Sequence, residues 1–348
     1  MSVVLHNIRD NYPSLHLQNL FRNGWMGVDL FFVLSGFLIT GILLDTRKSR
    51  GYFQKFYVRR CLRIWPLYFS LIFFMFVVVP FLRPSEAHKV FDKSSPWWAY
   101  PLFLQNFLMA VPTNATGPLG VTWSLAIEEQ FYLVWPVIVR YCSLAWIRRI
   151  AITIVCLSPM LRLYLQANNF NTYSNVFCRL DGLMSGAILA LVVRSPSFVS
   201  SRFVKSAWVA LLISVPLAFL TEALNARWLV YSLTTLASCS FVYLALFAPQ
   251  KWLLSGLRNQ FLVYTGTISY GLYLLHKIPF DLEQTFHLTR YPFFGLPAGL
   301  AVSYAVAALS WSVLERPFLA LKRFFEAEPG TSPLSNAQFA TAHQAARN

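Results

Sequence analysis

Charge is scarce in this chain, and acidic charge is the scarcer kind. Of 348 residues only 12% are charged, with 14 Asp and Glu against 29 Lys and Arg. A soluble domain carries about 25% charged residues, so a water-facing surface of ordinary composition is excluded. Apolar–polar alternation over ~10-residue segments is also missing, which excludes a membrane β-barrel. The five cysteines, Cys61, Cys142, Cys156, Cys178 and Cys239, are widely spaced. They match neither a disulfide framework nor a metal-ligand set and read as small hydrophobes. The segment Met1–Ile8 is too short for the apolar core of a cleavable signal. No internal repeat is visible, nor the matched broken helices common in secondary transporters.

What the chain has in abundance is apolar surface: 56% of residues are hydrophobic and 17% aromatic. The apolar runs fall near 27–44, 62–82, 99–111, 122–142, 150–166, 177–193, 206–221, 228–248, 261–280 and 293–316. Most approach the ~20 residues that a helix needs to cross ~30 Å of hydrocarbon. Lipid offers no partners for backbone amides, so continuous apolar runs of this kind predict helices. The expected fold is all-α, a polytopic transmembrane helix bundle whose first partner is the lipid bilayer.

A net charge of +15 invites a nucleic-acid reading, but the basic residues sit in short links between apolar runs. The 45–63 link holds seven of them: Arg47, Lys48, Arg50, Lys55, Arg59, Arg60 and Arg63. Links 140–149, 194–205 and 249–258 and the segment after 316 are basic too, whereas 167–176 has no charge. Links 222–227 and 281–292 have one basic residue each. Basic and charge-poor links alternate as the positive-inside rule requires, provided the short run 99–111 does not cross. It is therefore read as a re-entrant or interfacial helix, leaving nine full spans with the C-terminus in the cytoplasm. Residues 9–25 then lie outside, and the sequence reads as beginning partway along a first helix. Residues 1–325 form the membrane domain, and 326–348, rich in Ala, Ser, Pro and Asn, read as a disordered cytoplasmic tail.

Ionisable groups within such runs cost about 2.5 kcal/mol or more and are functional candidates by default. Asp29, Glu128, Glu129, Arg179, Asp181 and His276 all fall toward the outer ends of their runs, with His6 near them. Two readings stay open: structural ion pairs within the bundle, or a polar pocket opening outward. At the opposite side, Arg59 and Arg63 are four apart and Arg60 and Arg63 three apart, so they share a helix face. Guanidinium groups suit bidentate phosphate binding, which points to a phosphorylated cytoplasmic cofactor.

Several motifs then read as one set. The stretches Gly27-Val28-Asp29-Leu30-Phe31-Phe32-Val33-Leu34-Ser35-Gly36-Phe37, Arg59-Arg60-Cys61-Leu62-Arg63-Ile64-Trp65-Pro66 and Trp123-Ser124-Leu125-Ala126-Ile127-Glu128-Glu129-Gln130-Phe131-Tyr132 resemble the acyltransferase-3 family of bacterial membrane O-acyltransferases. So do Arg179-Leu180-Asp181-Gly182, Ser269-Tyr270-Gly271-Leu272-Tyr273-Leu274-Leu275-His276 and Glu315-Arg316-Pro317-Phe318. The resemblance implies transfer of an acyl group, acetyl foremost, from cytoplasmic acyl-CoA to a hydroxyl of an extracytoplasmic glycan or lipid-linked saccharide such as O-antigen or exopolysaccharide. It implies residence in the inner (plasma) membrane and no metal. In that family the first helix carries a histidine, which His6 matches, and an upstream basic residue, whose place would precede Met1. His6 is then the general base or transient acyl carrier, with Glu128 and Glu129 beside it in catalysis. Arg59, Arg60 and Arg63 grip the CoA phosphates, and Asp29, Arg179, Asp181 and His276 bind the acceptor. A transporter and a non-catalytic envelope protein are the rival readings.

Overall fold

A computed structural model of the chain describes residues 1–8, 22–82, 84, 95–109, 117–195, 200–285 and 292–325. Among them are helices and turns but no strand. The helices are α1 (Ser2–Ile8), α2 (Gly27–Asp45), α3 (Tyr52–Phe73), α4 (Gln105–Met109), α5 (Trp123–Tyr141), α6 (Leu144–Ala167), α7 (Val176–Val192) and α8 (Ser201–Ala223). They continue with α9 (Arg227–Phe247), α10 (Lys251–Leu257), α11 (Gln260–Thr267), α12 (Ser269–Leu275), α13 (Lys277–Thr285), α14 (Pro292–Ser310) and α15 (Arg316–Ala320).

Among the described residues, six helical segments are long and apolar enough to cross a membrane: Asn23–Asp45, Tyr52–Leu82, Leu144–Ala167, Ser201–Ala223, Arg227–Phe247 and Phe293–Phe325. The other expected spans are helical but differ in kind. Helix α5 holds Glu128, Glu129 and Arg140 within 19 residues, and α7 has 17 residues including Arg179 and Asp181. The 261–280 run appears as α11, α12 and α13, yet i→i−4 bonding persists through the kinks. Ile268 N donates to Tyr264 O, and His276 N to Leu272 O. The kink at His276 has a clear cause: Pro279 has no N–H for the Leu275 carbonyl and is tolerated only in the first turn of a new helix.

Two boundaries differ from the apolar pattern. Helix α3 starts at Tyr52, ten residues before its apolar run, because Lys and Arg are good helix formers and extend it into the basic segment. Within 99–111 the described helix is only Gln105–Met109, after a 3₁₀ turn at Trp97–Ala99. Between them Phe103 holds a positive φ of 53°, stacked on Tyr68 with ring centroids 4.7 Å apart. Neither piece is long enough to cross. The expected tail, 326–348, lies outside the described residues.

The described residues divide into two compact units. The first holds Met1–Gly27, Phe53–Ala126 and Gln260–Glu326. Its core includes Val4, Ile268, Leu272, Phe280 and Ala307, which ties α1 to the α11–α14 region. Gly24 lies so close to α1 that a Cβ there would meet the Ser2 carbonyl oxygen at 2.3 Å.

The second unit holds Val28–Tyr52 and Ile127–Asn259. Its core combines Val33, Leu189, Val193, Val204, Val242 and Phe247 from α2, α7, α8 and α9. Helices α2 and α7 meet backbone to backbone. A Cβ on Gly186 would fall 2.1 Å from the Val33 carbonyl oxygen, and one on Gly36 1.9 Å from that of Leu183. Gly182 and Gly186 form the spacing by which membrane helices approach closely. Helix α5 meets α2 through polar contacts instead: Tyr132 Oη lies 2.6 Å from Ser35 Oγ, and Trp135 Nε1 donates to Thr40 Oγ1 at 2.9 Å.

Candidate functional site

In the second unit the close approach of α2 and α7 brings Asp29 to Arg179, and their side chains pair at 2.6 Å with almost no exposure. The other Asp29 oxygen accepts the Thr234 hydroxyl of α9 at 2.5 Å. The Arg179 guanidinium lies over the Tyr231 ring at 4.2 Å, with Phe32 and Tyr173 at 5.6 and 5.7 Å. Two residues along α7, Asp181 pairs with Arg162 of α6 at 2.7 Å. Arg162 is fully buried and also donates to the carbonyls of Cys178 and Trp228 and to Ser232 Oγ. Two arginines and two aspartates thus balance one another across α2, α6 and α7, with hydroxyls from α9 bonding Asp29 and Arg162. Pairing of this kind offsets part of the desolvation of the buried ions.

Arg162 is the member that sequence reasoning passed over. It lies in the 150–166 run, and the rule that flagged Asp29 and Arg179 applies to it equally. Asp29, Arg179 and Asp181, expected to bind an acceptor, are brought together here with one another. Glu128 is buried and Glu129 half-buried on α5 in the same unit.

In the first unit the chemistry is different. His276 is fully buried at the kink between α12 and α13. Its Nδ1 lies 2.7 Å from the Tyr273 carbonyl oxygen, which can only accept, so Nδ1 carries the hydrogen. Its Nε2 then accepts from Asn7 Nδ2 of α1 at 3.1 Å. This bond fixes α1, and with it the neighbouring His6, against α12. Tyr273 Oη lies 2.7 Å from Ser124 Oγ and donates to the Val121 carbonyl at 2.9 Å. Lys277 Nζ donates to Gly117 O at 3.3 Å. Of the predicted outer residues, His276 is therefore held beside the segment bearing His6.

The arginines of α3 also lie in the first unit, and Lys322 joins them. Arg59, Arg60 and Arg63 all act electrostatically on Lys322, and Arg63 on the buried Glu315. Arg60 packs over the Phe56 ring at 5.9 Å. A π-turn at Trp311–Glu315 sets the carboxylate of Glu315, where Ser310 Oγ donates to it at 3.3 Å; π-turns often mark functional positions. Tyr270 Oη donates to the Ile64 carbonyl at 2.8 Å, fixing α12 to α3 beside the cluster. Among the described residues four cations thus gather, with Glu315 within reach of Arg63, an excess of positive charge suited to a polyanion. Neither Lys322 nor Glu315 was predictable as a member. Lys322 looked like a topogenic charge, and Glu315 stood only within a motif.

The chain is 29% identical over 323 residues to the peptidoglycan O-acetyltransferase OatA of Listeria monocytogenes, covering 85% of this chain and 51% of that protein. It is 27% identical over 345 residues to the provisionally named peptidoglycan O-acetyltransferase YrhL of Bacillus subtilis, covering 91% and 52%. A provisionally named O-acetyltransferase of Staphylococcus aureus (strain COL) is 26% identical over 325 residues, covering 85% and 52%. The chain thus spans about half the length of the curated relatives it matches. No solved structure matches. The model of the acyltransferase domain family matches residues 1–314. Apolar helices and family agree on a multi-pass membrane protein, and the chain belongs to the acyltransferase-3 family.

Proposed function

We propose that this chain is a membrane O-acyltransferase that moves an acyl group, acetyl foremost, from cytoplasmic acyl-CoA to a hydroxyl of an extracytoplasmic glycan. The observation that carries the reading is the helix face on which α3 sets Arg59, Arg60 and Arg63, in the compact unit that also holds α1, His6 and Lys322. CoA presents phosphates, for which guanidinium groups are the best-suited side chains. The acceptor hydroxyl oxygen attacks the thioester carbonyl, the C–S bond breaks, and the hydroxyl proton passes to His6 and then to the departing thiolate. Glu128 and Glu129 are assigned to the same chemistry. In this reading Asp29, Arg179 and Asp181 shape the acceptor side, while His276 orients the first helix through Asn7.

The topology consistent with this has nine full spans, the basic links and the C-terminus in the cytoplasm, and the protein in the inner membrane. O-antigen and exopolysaccharide suit the acceptor side. Peptidoglycan is the second reading, favoured by the names of the relatives. The test is transfer of labelled acetyl from acetyl-CoA to envelope glycan in membrane vesicles. His6→Ala is expected to abolish transfer with expression intact, and retained transfer removes His6 from the mechanism.

A further inference from the structure

One end of the second unit carries an open cavity of about 340 Å³ that none of the proposed chemistry uses. Its walls come from the α6–α7 and α8–α9 links and the first turns of α9. These are the charge-poor links of the sequence; the same helices end, at their other termini, in the basic links 140–149, 194–205 and 249–258. With the topology proposed above, the cavity faces outward.

The walls combine two chemistries. Phe170, Tyr173 and Tyr231 present aromatic surface, and Thr172, Asn225 and Arg227 present hydroxyl, amide and guanidinium groups. The links are held in place by Gln166, whose Oε1 accepts from Trp228 N at 3.1 Å while its Nε2 donates to Asn225 O at 3.0 Å. Tyr231 is fixed from behind, with the buried guanidinium groups of Arg179 and Arg162 at 4.2 and 5.4 Å from its ring centre. Small-molecule sites are preformed cavities of ~300–1,000 Å³ with apolar walls and a few convergent polar groups. This one differs in being richly polar, which disfavours a lipid tail. A sugar ring offers apolar C–H faces for the aromatic groups and hydroxyls that both donate and accept.

We infer that the cavity bounded by Phe170, Tyr173, Thr172, Asn225, Arg227 and Tyr231 is a saccharide-binding subsite that holds one ring of the glycan acceptor. The inference rests on the acyl-transfer reading for its biological meaning, but not for its chemistry. The buried Asp29–Arg179 pair then acts as a foundation, keeping Tyr231 and Tyr173 in place as walls.

The test uses the full chain in lipid nanodiscs and two exposed substitutions, Phe170→Ser and Arg227→Gln. Saturation-transfer NMR and calorimetry measure binding of three soluble probes: a chito-oligosaccharide, a dextran fragment and a mannan fragment. At least one probe is expected to bind, and each substitution to weaken it by about fivefold or more. Acetyl-CoA affinity and thermal unfolding are expected to stay unchanged. In the transfer assay the acceptor KM rises while kcat holds. Failure of all three probes to bind the unmodified chain overturns the subsite, as does unchanged affinity in both variants. Probe binding that responds to the substitutions in a chain that transfers no acyl group leaves the subsite standing and overturns the acyl-transfer reading.

Discussion

The two units solve opposite electrostatic problems. In the second, Asp29, Arg179, Asp181 and Arg162 balance charge for charge; Thr234 bonds Asp29, Ser232 and two carbonyls bond Arg162, and the Tyr231 ring faces Arg179. In the first, Arg59, Arg60, Arg63 and Lys322 outnumber Glu315. A balanced, buried set has its charges paired within the protein and is expected to support the fold. An unbalanced set is expected to have charge left for a ligand. The distinction separates buried charges that hold a membrane bundle together from charges that wait for a substrate, and it makes different predictions for the two units.

The largest effect is expected where balance is broken. Asp29→Ala or Arg179→Ala leaves one buried ion without its partner and should destabilise the protein by ~3–5 kcal/mol. The double change Asp29→Leu with Arg179→Met should recover most of that loss. Denaturant unfolding in micelles reads both. A double variant no more stable than the singles would show that the pair is needed for more than charge balance. Arg59→Gln, in the unbalanced cluster, should shift stability by no more than ~0.5 kcal/mol.

Next comes the contact that sets the balanced pair in place. Gly186→Ala puts a methyl group 2.1 Å from the Val33 carbonyl, where backbone must move. Overpacking of this kind costs about 1–3 kcal/mol. Gly256→Ala is the control, since a Cβ there meets nothing within 4 Å. Equal effects at the two glycines would refute the close approach of α2 and α7.

These particulars show what the sequence could and could not convey. Asp29, Arg179 and Asp181 stood out because any charge in an apolar run is conspicuous. Their partners did not, because pairing is set by tertiary approach: Asp29 and Arg179 are 150 positions apart. Arg162 carries the same signal within its own run. The all-helical fold and the outer limits of most spans were legible from hydropathy. The early start of α3 was not, because helix propensity rather than hydropathy extends it. The Asn7–His276 bond was also hidden, since an amide in a short N-terminal helix has no pattern to distinguish it.

The unbalanced cluster is probed by donor affinity instead of stability. Arg60→Gln removes a guanidinium suited to two charge-assisted bonds to phosphate, each worth ~1.5–3 kcal/mol. Acetyl-CoA binding by the solubilised chain should weaken by about tenfold or more. Arg63→Gln should show the same loss together with a modest fall in stability, because Arg63 also acts on the buried Glu315. Stability loss without affinity loss at both positions would move the cluster into the class of its balanced counterpart.

The smallest and most discriminating effect belongs to Lys322. It lies in the 3₁₀ turn Leu321–Phe325 that follows α15, a position where a basic residue is also expected as a cytoplasmic anchor. An anchor acts on insertion and orientation, whereas a ligand-binding ammonium acts on donor affinity. Lys322→Gln should therefore weaken acetyl-CoA binding by roughly two- to fivefold in correctly inserted protein, as expected for one point charge among several. Lys322→Arg should restore most of that affinity. Raising ionic strength from ~0.1 to ~1 M shortens the screening length from ~10 to ~3 Å, so the difference between Lys322 and Gln should shrink. If Lys322→Gln binds acetyl-CoA as the unmodified chain does at both ionic strengths, Lys322 is an anchor. The ligand-directed cluster then reduces to the three arginines on the face of α3.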